Sequence, residues 1–216
     1  PGPTATCGPA AGDAGRRAAA RRLHFGYPPR MRRMREDGGV ALAALFDRAR
    51  GTGLATSLDM AQPDPNSEAG RLDWPAFLRS ALPRVDIFLP NLEETLFMTD
   101  RPRLETLRRA AGPASLFTKV DRALLREVAD RLLGWGAAAV VLKLGDQGLY
   151  LKTTRDRARL ARVGGGLLRP VDAWAGREGL VPCFKARVVS TTGAGDTTVA
   201  GFLAALLKGL PPDEAM

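Results

Sequence analysis

The sequence has few residues suited to covalent cross-linking or metal binding. It contains two cysteines, Cys7 and Cys183, and a single histidine, His24, among 216 residues. Two distant cysteines with no Cys-x-x-Cys or Cys/His spacing indicate neither a disulfide framework nor a zinc site. We therefore expect a protein of the reducing cytoplasm. A lone histidine of this kind is expected to be packed or hydrogen-bonded rather than catalytic.

Long apolar runs and a secretory leader pattern are also missing. No apolar stretch approaches the length of a membrane span, and the first residues lack the charged, apolar, small-residue order of a signal peptide. We therefore expect no membrane partner. Hydrophobic residues still make up 45% of the chain, enough to bury the core of one domain.

Acidic residues are outnumbered, so that the formal net charge is +9, and many of the basic residues lie between Arg16 and Arg35. A basic balance of this size is typical of nucleic-acid-binding proteins. No aromatic residues interleave with the arginines of 16–22, however, so the stacking platform of a single-strand binder is missing. We do not expect nucleic acid as a partner, and a basic binding module is kept only as an alternative function.

The start of the chain differs in composition from the rest. Residues 1–22 are mostly Ala, Gly, Pro and Arg, which cannot bury enough apolar surface to offset the entropy of folding. We predict that residues 1–22 are disordered or not native to the domain, and that residues 23–216 form one domain. There, strands alternate with helices, which predicts an α/β fold with a mostly parallel sheet and helices on both faces.

Periodicity predicts several individual elements. A helix is expected over 37–50, and its buried face is predicted to carry Val40, Ala43, Ala44 and Phe46. A second, amphipathic helix is predicted over 121–133. Strands are expected over 54–58 and 138–144, and the latter is expected to turn and return as a strand over 149–151.

Polar and glycine residues follow the predicted strand ends. Asp59, Asn91, Gly145 and Asp196 all lie at or just beyond such ends. Ligands of parallel sheets bind outside the carboxyl ends of the strands, so these positions predict one shared crevice. For Asp59 we favour a capping or turn role, with contact to an acceptor or to phosphates as the alternative.

The most informative segment is Ser190-Thr191-Thr192-Gly193-Ala194-Gly195-Asp196, which lies between the apolar runs 187–189 and 199–207. A strand, a glycine-rich turn and a helix start would aim backbone N–H groups at a phosphate. Asp196 adds a proton acceptor, and the two together favour phosphoryl transfer to a hydroxyl group. The alternative is a structural turn in which Asp196 only favours a helix N-terminus. A dinucleotide fingerprint would need glycine in place of Thr198.

This segment and the following Val199-Ala200-Gly201-Phe202 resemble the C-terminal signature of the ribokinase-like (PfkB) carbohydrate kinases. The resemblance implies ATP-dependent phosphorylation of a hydroxyl group on a sugar or related small alcohol. It implies Asp196 as the base and the backbone amides of Gly193, Ala194 and Gly195 as the anion hole, with Thr192 beside them at the phosphates. A non-catalytic relative that binds nucleotide or sugar is the alternative.

Two further elements resemble this family in the expected order. Asn91 and Glu94 match its Asn-x-x-Glu element, which implies that they organise the ATP phosphates and, through water, a Mg²⁺ ion. The same residues would also form a helix cap without any ligand. The Leu144 to Gly148 turn matches the family's Leu-Gly-x-x-Gly hairpin, which implies that Gly145 lies close to the nucleotide. We interpret Lys143 as a solvated strand end, with a positive charge beside ATP as the alternative.

The sequence departs from the family pattern in two respects. Ser190 stands where many relatives have an aspartate that helps bind a monovalent cation, so activation by potassium is doubtful. The resemblance covers residues 23–216 and lacks the family's N-terminal and extreme C-terminal parts. We therefore expect a fragment, and predict that the isolated polypeptide is poorly soluble or inactive. A homodimer of the full-length form remains open.

Overall fold

The computed structural model describes residues 20–185 and 187–216. Most of the segment predicted to be disordered, residues 1–19, lies outside the described part of the chain. Arg22, the last residue of that segment, opens the first strand. In residues 20–185 and 187–216, no helix combines the length and the apolar character that crossing a membrane requires.

The centre of the fold is a six-stranded sheet whose spatial order follows the sequence. The first four strands run parallel, whereas the last two are antiparallel to their neighbours. This arrangement confirms the prediction of a mostly parallel sheet and of a hairpin after the fourth strand. The strands are β1 (Arg22–Phe25), β2 (Ala55–Leu58), β3 (Ile87–Phe88), β4 (Ala139–Lys143), β5 (Leu149–Thr153) and β6 (Glu178–Val181).

Ten α-helices within the described residues connect and cover the strands. They are α1 (Arg32–Arg35), α2 (Val40–Gly51), α3 (Trp74–Ala81), α4 (Leu92–Thr99), α5 (Arg101–Ala111), α6 (Arg122–Gly134), α7 (Arg157–Ala161), α8 (Val171–Trp174), α9 (Ala194–Leu207) and α10 (Pro212–Ala215). Several begin at an aspartate whose side chain accepts a backbone N–H of the first turn, which satisfies a donor that the helix leaves unpaired.

Both faces of the central strands are buried, each against its own group of helices. In β4, Val140 and Leu142 pack with α2 to α6, while Val141 packs on the other face with α7 to α9. The two residues of β3 also pack on opposite faces of the sheet, because successive side chains of a strand point to opposite faces. This alternation confirms the prediction of helices on both faces.

The helix predicted over 37–50 forms as α2, but part of its predicted buried face is wrong. Ala43 and Phe46 are buried, whereas Val40 is 62% exposed and Ala44 is exposed. Leu42 is buried in their place. The helix begins at Val40, after Gly38 and Gly39 have turned the chain, and its true start sets which residues face the sheet.

The strand predicted over 187–189 is also wrong. Among the described residues between β6 and α9, none is in a strand, and Val188 and Val189 are 72% and 90% exposed. A strand needs a neighbour to pair its backbone groups, and no described strand pairs with this segment. The glycine turn and the helix that were predicted to follow it are present.

A buried ion pair joins α7 to the residue that precedes β3. Arg159 Nη1 lies 2.8 Å from Asp86 Oδ1, and its other nitrogens donate to the carbonyl oxygens of Val85 and Gly136. The second oxygen of Asp86 accepts the backbone N–H of Thr56 at 2.9 Å. The charges are therefore compensated inside the protein, as burial requires.

Candidate active site

The carboxyl ends of the four parallel strands bring polar side chains to one edge of the sheet. β1 leads to Tyr27, β2 to Asp59, β3 to Asn91, and β4 ends at Lys143. Asn91 forms a parallel bridge with Lys143, whose N–H donates to the carbonyl oxygen of Pro90 at 3.0 Å. Asp59, Asn91 and the turn after β4 thus lie together, as expected for parallel strands.

Asp196 reaches this edge on the first turn of α9. Gly193 caps the helix with a φ of 79°, a left-handed conformation that glycine adopts without strain. Among the described residues, the N–H groups of Gly193, Gly195 and Asp196 have no protein acceptor, while that of Ala194 donates to Thr191. A Cβ placed on Gly193 would meet nothing within 4 Å. The turn therefore presents free donors to open space.

The neighbouring Ser190 serves the turn itself. Its Oγ accepts the backbone N–H of Thr192 at 3.2 Å, and both residues are exposed. A serine hydroxyl carries no charge, so it offers a cation much less than a carboxylate would offer.

Tyr27 joins Asp196 to the end of β1. Its hydroxyl donates a short hydrogen bond to Asp196 Oδ1, and its backbone N–H donates to the carbonyl oxygen of Asp59 at 3.3 Å. The hydrogen bond to Asp196, followed by burial, raises the pKa of Tyr27 well above its ordinary value. Tyr27 therefore stays protonated and acts as a donor that orients the carboxylate.

Lys143 and Asp59 form an almost completely buried ion pair. The Lys143 Nζ lies 2.7 Å from both carboxylate oxygens of Asp59, and the two side chains are 11% and 3% exposed. The interpretation of Lys143 as a solvated strand end is therefore wrong, because its ammonium has a buried partner. Asp59 also accepts the N–H of Met60, as its predicted turn role requires. Burial raises the pKa of Asp59, although Lys143 opposes that effect.

Asn91 and Glu94 form a complete capping box at the start of α4. The Asn91 side chain accepts the N–H of Glu94 at 2.7 Å, and Glu94 Oε2 accepts the N–H of Asn91 at 3.0 Å. The capping role foreseen for them is thus present. Burial raises the pKa of Glu94 to about 7, although the Asn91 N–H and the Lys143 ammonium oppose it.

The donor set fits a magnesium ion held mainly by phosphates and water. Within the described part of the chain, no group of three or more His, Cys, Asp or Glu side chains could enclose a metal. Glu94 keeps its second oxygen, Oε1, free of protein donors in the same region. Mg²⁺ usually keeps several waters and uses only one or two protein carboxylates, so a single Glu94 is compatible with it.

Gly145 opens the turn between β4 and β5. Its φ is 58°, and a Cβ there would stand 3.0 Å from Phe117 Cε2. Glycine is therefore favoured at this position by the backbone and by the close approach of an aromatic ring. The turn lies two residues beyond Lys143, at the same edge as the other strand ends.

His24 lies in β1 beneath the site and is hydrogen-bonded, as the sequence predicts. Its Nδ1 lies 2.9 Å from Ser57 Oγ in the neighbouring strand. Burial, followed by the positive charges of Arg22 and Lys143, lowers the pKa of His24 to about 4. The imidazole is therefore neutral near pH 7.

Two features of this edge of the sheet were not predicted from the sequence. One is the hydrogen bond between Tyr27 and Asp196, which joins residues 169 positions apart. The other is the Asp59–Lys143 pair, for which the charged residue at the end of an apolar strand was the available signal. Polar residues at adjacent strand ends identify an edge, but they do not give the pairs that form there.

Comparison with known proteins agrees with this architecture. The family model "pfkB family carbohydrate kinase" matches residues 41–216. A PfkB protein from Polaromonas sp. JS666 shares 24% identity at a TM-score of 0.61, covering 98% of this chain and 54% of that chain. A fructokinase from Xylella fastidiosa, solved with bound ATP, shares 14% identity at a TM-score of 0.60, covering 94% and 50%. A ribokinase from Thermotoga maritima shares 19% identity at a TM-score of 0.53, covering 96% and 50%.

The chain spans about half the length of these solved structures. At these identities the likeness concerns the fold, which is the ribokinase-like α/β fold with a mostly parallel sheet. The family model covers far more than half of the chain. The chain therefore belongs to the pfkB family of carbohydrate kinases.

Proposed function

We propose that this protein transfers the γ-phosphoryl group of ATP to a hydroxyl group of a sugar or related small alcohol. The observation that carries the proposal is the exposed Asp196 carboxylate beside the free N–H groups of Gly193 and Gly195. A proton acceptor and an anion-binding turn within four residues are the parts that phosphoryl transfer to an alcohol requires.

In this proposal Asp196 takes the proton of the acceptor hydroxyl. The hydroxyl oxygen then forms a bond to the γ-phosphorus, and the bond from that phosphorus to the bridging oxygen of ADP breaks. The free N–H groups of Gly193 and Gly195, with Thr192 beside them, hold the negative oxygens of the transferring group. The Ala194 N–H, which the resemblance also implied, is instead used by the carbonyl oxygen of Thr191. Tyr27 keeps the Asp196 carboxylate oriented through its hydroxyl.

Asn91, Glu94 and Gly145 are assigned to the nucleotide side of the same edge. Glu94 would hold a water of Mg²⁺ through its free oxygen, and Asn91 fixes Glu94 through the capping box. When bound, Mg²⁺ neutralises charge on the phosphates. Gly145 is assigned to the phosphates or the ribose by its position in the turn after β4. Dependence on a monovalent cation is not expected, because Ser190 is uncharged and already holds the N–H of Thr192.

The test uses the purified full-length form that contains this chain, with Mg²⁺–ATP and a panel of sugars and small polyols. Asp196→Asn keeps the shape of the side chain but weakens it as a base, and a loss of about 10²- to 10⁴-fold in transfer is expected. Asp130→Asn, on the exposed face of α6, is the matched control and is expected to keep the wild-type rate. Equal turnover by wild type and Asp196→Asn would refute the assignment.

Binding measurements with ATP and with nucleic acid, made beside the transfer assay, separate the alternatives. ATP binding without transfer to any acceptor would favour a non-catalytic nucleotide-binding relative. Salt-dependent association with DNA or RNA would instead favour a basic binding module. A cytoplasmic location is part of the proposal and is tested by localisation, and sedimentation tests whether the full-length form is a homodimer.

A further inference from the structure

Lys143 occupies a position between a buried carboxylate and the open start of α9. On one side its Nζ lies 2.7 Å from both oxygens of Asp59. On the other side the same Nζ lies 3.7 Å from where a Cβ would stand on Gly195. The ammonium therefore faces the turn that presents free backbone N–H groups.

The positive charge of Lys143 beside the start of α9 requires an explanation. The N-terminus of a helix is the positive end of its dipole, and a second positive charge there is unfavourable without an anion. Two carboxylates supply negative charge here: Asp59, which is 2% exposed and pairs with Lys143 directly, and Asp196 in the first turn of α9. The two Asp59 oxygens engage at most two of the three N–H donors of Lys143, which leaves at least one for a second acceptor.

The space on the solvent side of this arrangement is open. Apart from its own chain neighbours, no described atom lies within 4 Å of a Cβ on Gly193, and Gly195 and Asp196 are exposed. An anion entering there would meet the N–H donors of the turn and the ammonium together. Charge-assisted hydrogen bonds of this kind are the strong ones in anion recognition.

We propose that Lys143 is a phosphate-binding residue of the active site, and that Asp59 is its internal counter-ion. Asp59 holds the ammonium beside the start of α9 before the nucleotide arrives, and the bound phosphate then shares Lys143 with Asp59. The identity of the anion as a phosphate of ATP rests on the proposed function. The position of Lys143 is independent of which alcohol accepts the phosphoryl group.

The test measures equilibrium binding of Mg²⁺–ATP and of adenosine by calorimetry. The variants are Lys143→Met, Asp59→Asn and the double variant that carries both. The double variant is essential, because Lys143→Met alone leaves a buried carboxylate unpaired, whereas removal of both charges avoids that cost. Thermal unfolding of each variant checks that it is folded.

Lys152 provides a matched control in the neighbouring strand. It is also a poorly exposed lysine in an ion pair, 2.5 Å from Asp130 and 3.9 Å from Glu178. It pairs with Val140 in the sheet register, so it lies away from the strand ends that form the site. Lys152→Met is expected to leave the affinity for ATP within about twofold of wild type, because phosphate contacts are not involved.

The expected result is a loss of about 10- to 100-fold in ATP affinity for the double variant, the size of a lost charged hydrogen bond. Adenosine affinity should stay within twofold, since adenosine carries no phosphate. The Asp59→Asn variant alone should bind ATP at least as tightly as wild type, because the Lys143 ammonium then lacks the negative charge of Asp59.

Three results would overturn the proposal. They are a folded double variant with wild-type ATP affinity, an equal loss for ATP and adenosine, and a loss above tenfold in ATP affinity for Asp59→Asn. If the wild-type chain binds ATP but transfers no phosphate, the proposed function fails, while the ratio of ATP to adenosine affinity still decides the role of Lys143.

Discussion

Replacing Glu94 with glutamine is expected to stabilise the protein at pH 8 and to leave its stability at pH 5 nearly unchanged. Glu94 closes the capping box of α4, and its Oε2 accepts the N–H of Asn91. Glutamine keeps an oxygen that can accept the same N–H. The change therefore removes the ionisable group while it preserves the cap.

The magnitude follows from the burial of this carboxyl group. Burial raises the pKa of Glu94 to about 7, from an ordinary value of 4.5. The folded state thus holds the proton more tightly than the unfolded chain does. The resulting stabilisation is complete below pH 4.5 and is lost as the pH rises from 4.5 through 7. The gap between the two values corresponds to about 3 kcal/mol of unfolding free energy.

The assay is urea denaturation of wild type and Glu94→Gln at half-unit steps from pH 5 to pH 8. The glutamine variant should gain about 2 to 3 kcal/mol relative to wild type over this range. Glu93→Gln is the control, because Glu93 is adjacent and pairs with Arg108 near the surface. Its effect should stay below about 1 kcal/mol at every pH. A constant difference between wild type and Glu94→Gln from pH 5 to pH 8 would refute the argument.

Two further substitutions test contacts inside the site and the core. Tyr27→Phe removes the hydroxyl that orients Asp196, and kcat for phosphoryl transfer should fall about tenfold with little change in the KM for ATP; an unchanged kcat would show that Tyr27 does not orient the base. Arg159→Met leaves the Asp86 carboxylate buried and unpaired, and should lower the unfolding free energy by about 3 to 5 kcal/mol in urea. Adding Asp86→Asn to Arg159→Met should restore part of the lost unfolding free energy. No recovery would contradict the argument that the unpaired carboxylate causes the loss.

Local patterns in the sequence were sufficient for much of the fold. The amphipathic helix predicted over 121–133 forms as α6, and Leu124, Leu125, Val128 and Leu132 are buried as its periodicity indicates. The hairpin around Gly145 also forms where the turn residues predict it. These features depend on neighbouring residues alone, because a helix face and a tight turn are specified within a few positions.

Predictions that depended on a neighbour in space were less successful. The run 187–189 has the β-forming residues of a strand, but within the described chain no strand pairs with it. Val40 has the apolar character of a core residue and is 62% exposed, since the glycine turn before it sets where α2 begins. Local propensity does not contain this information.

The residues of the candidate site could likewise be predicted from the sequence, but their contacts with one another could not. The sequence alone determined that Asp59, Asn91, Gly145 and Asp196 follow strand ends or a glycine turn, and its motif indicated the kinase family. Only the tertiary structure decided that Tyr27 donates to Asp196 and that Asp59 neutralises Lys143. The physical reason is that such pairs join residues far apart in the chain, 84 positions in the second case. Their formation depends on how parallel strands align at one edge of the sheet and on what burial demands of a charge.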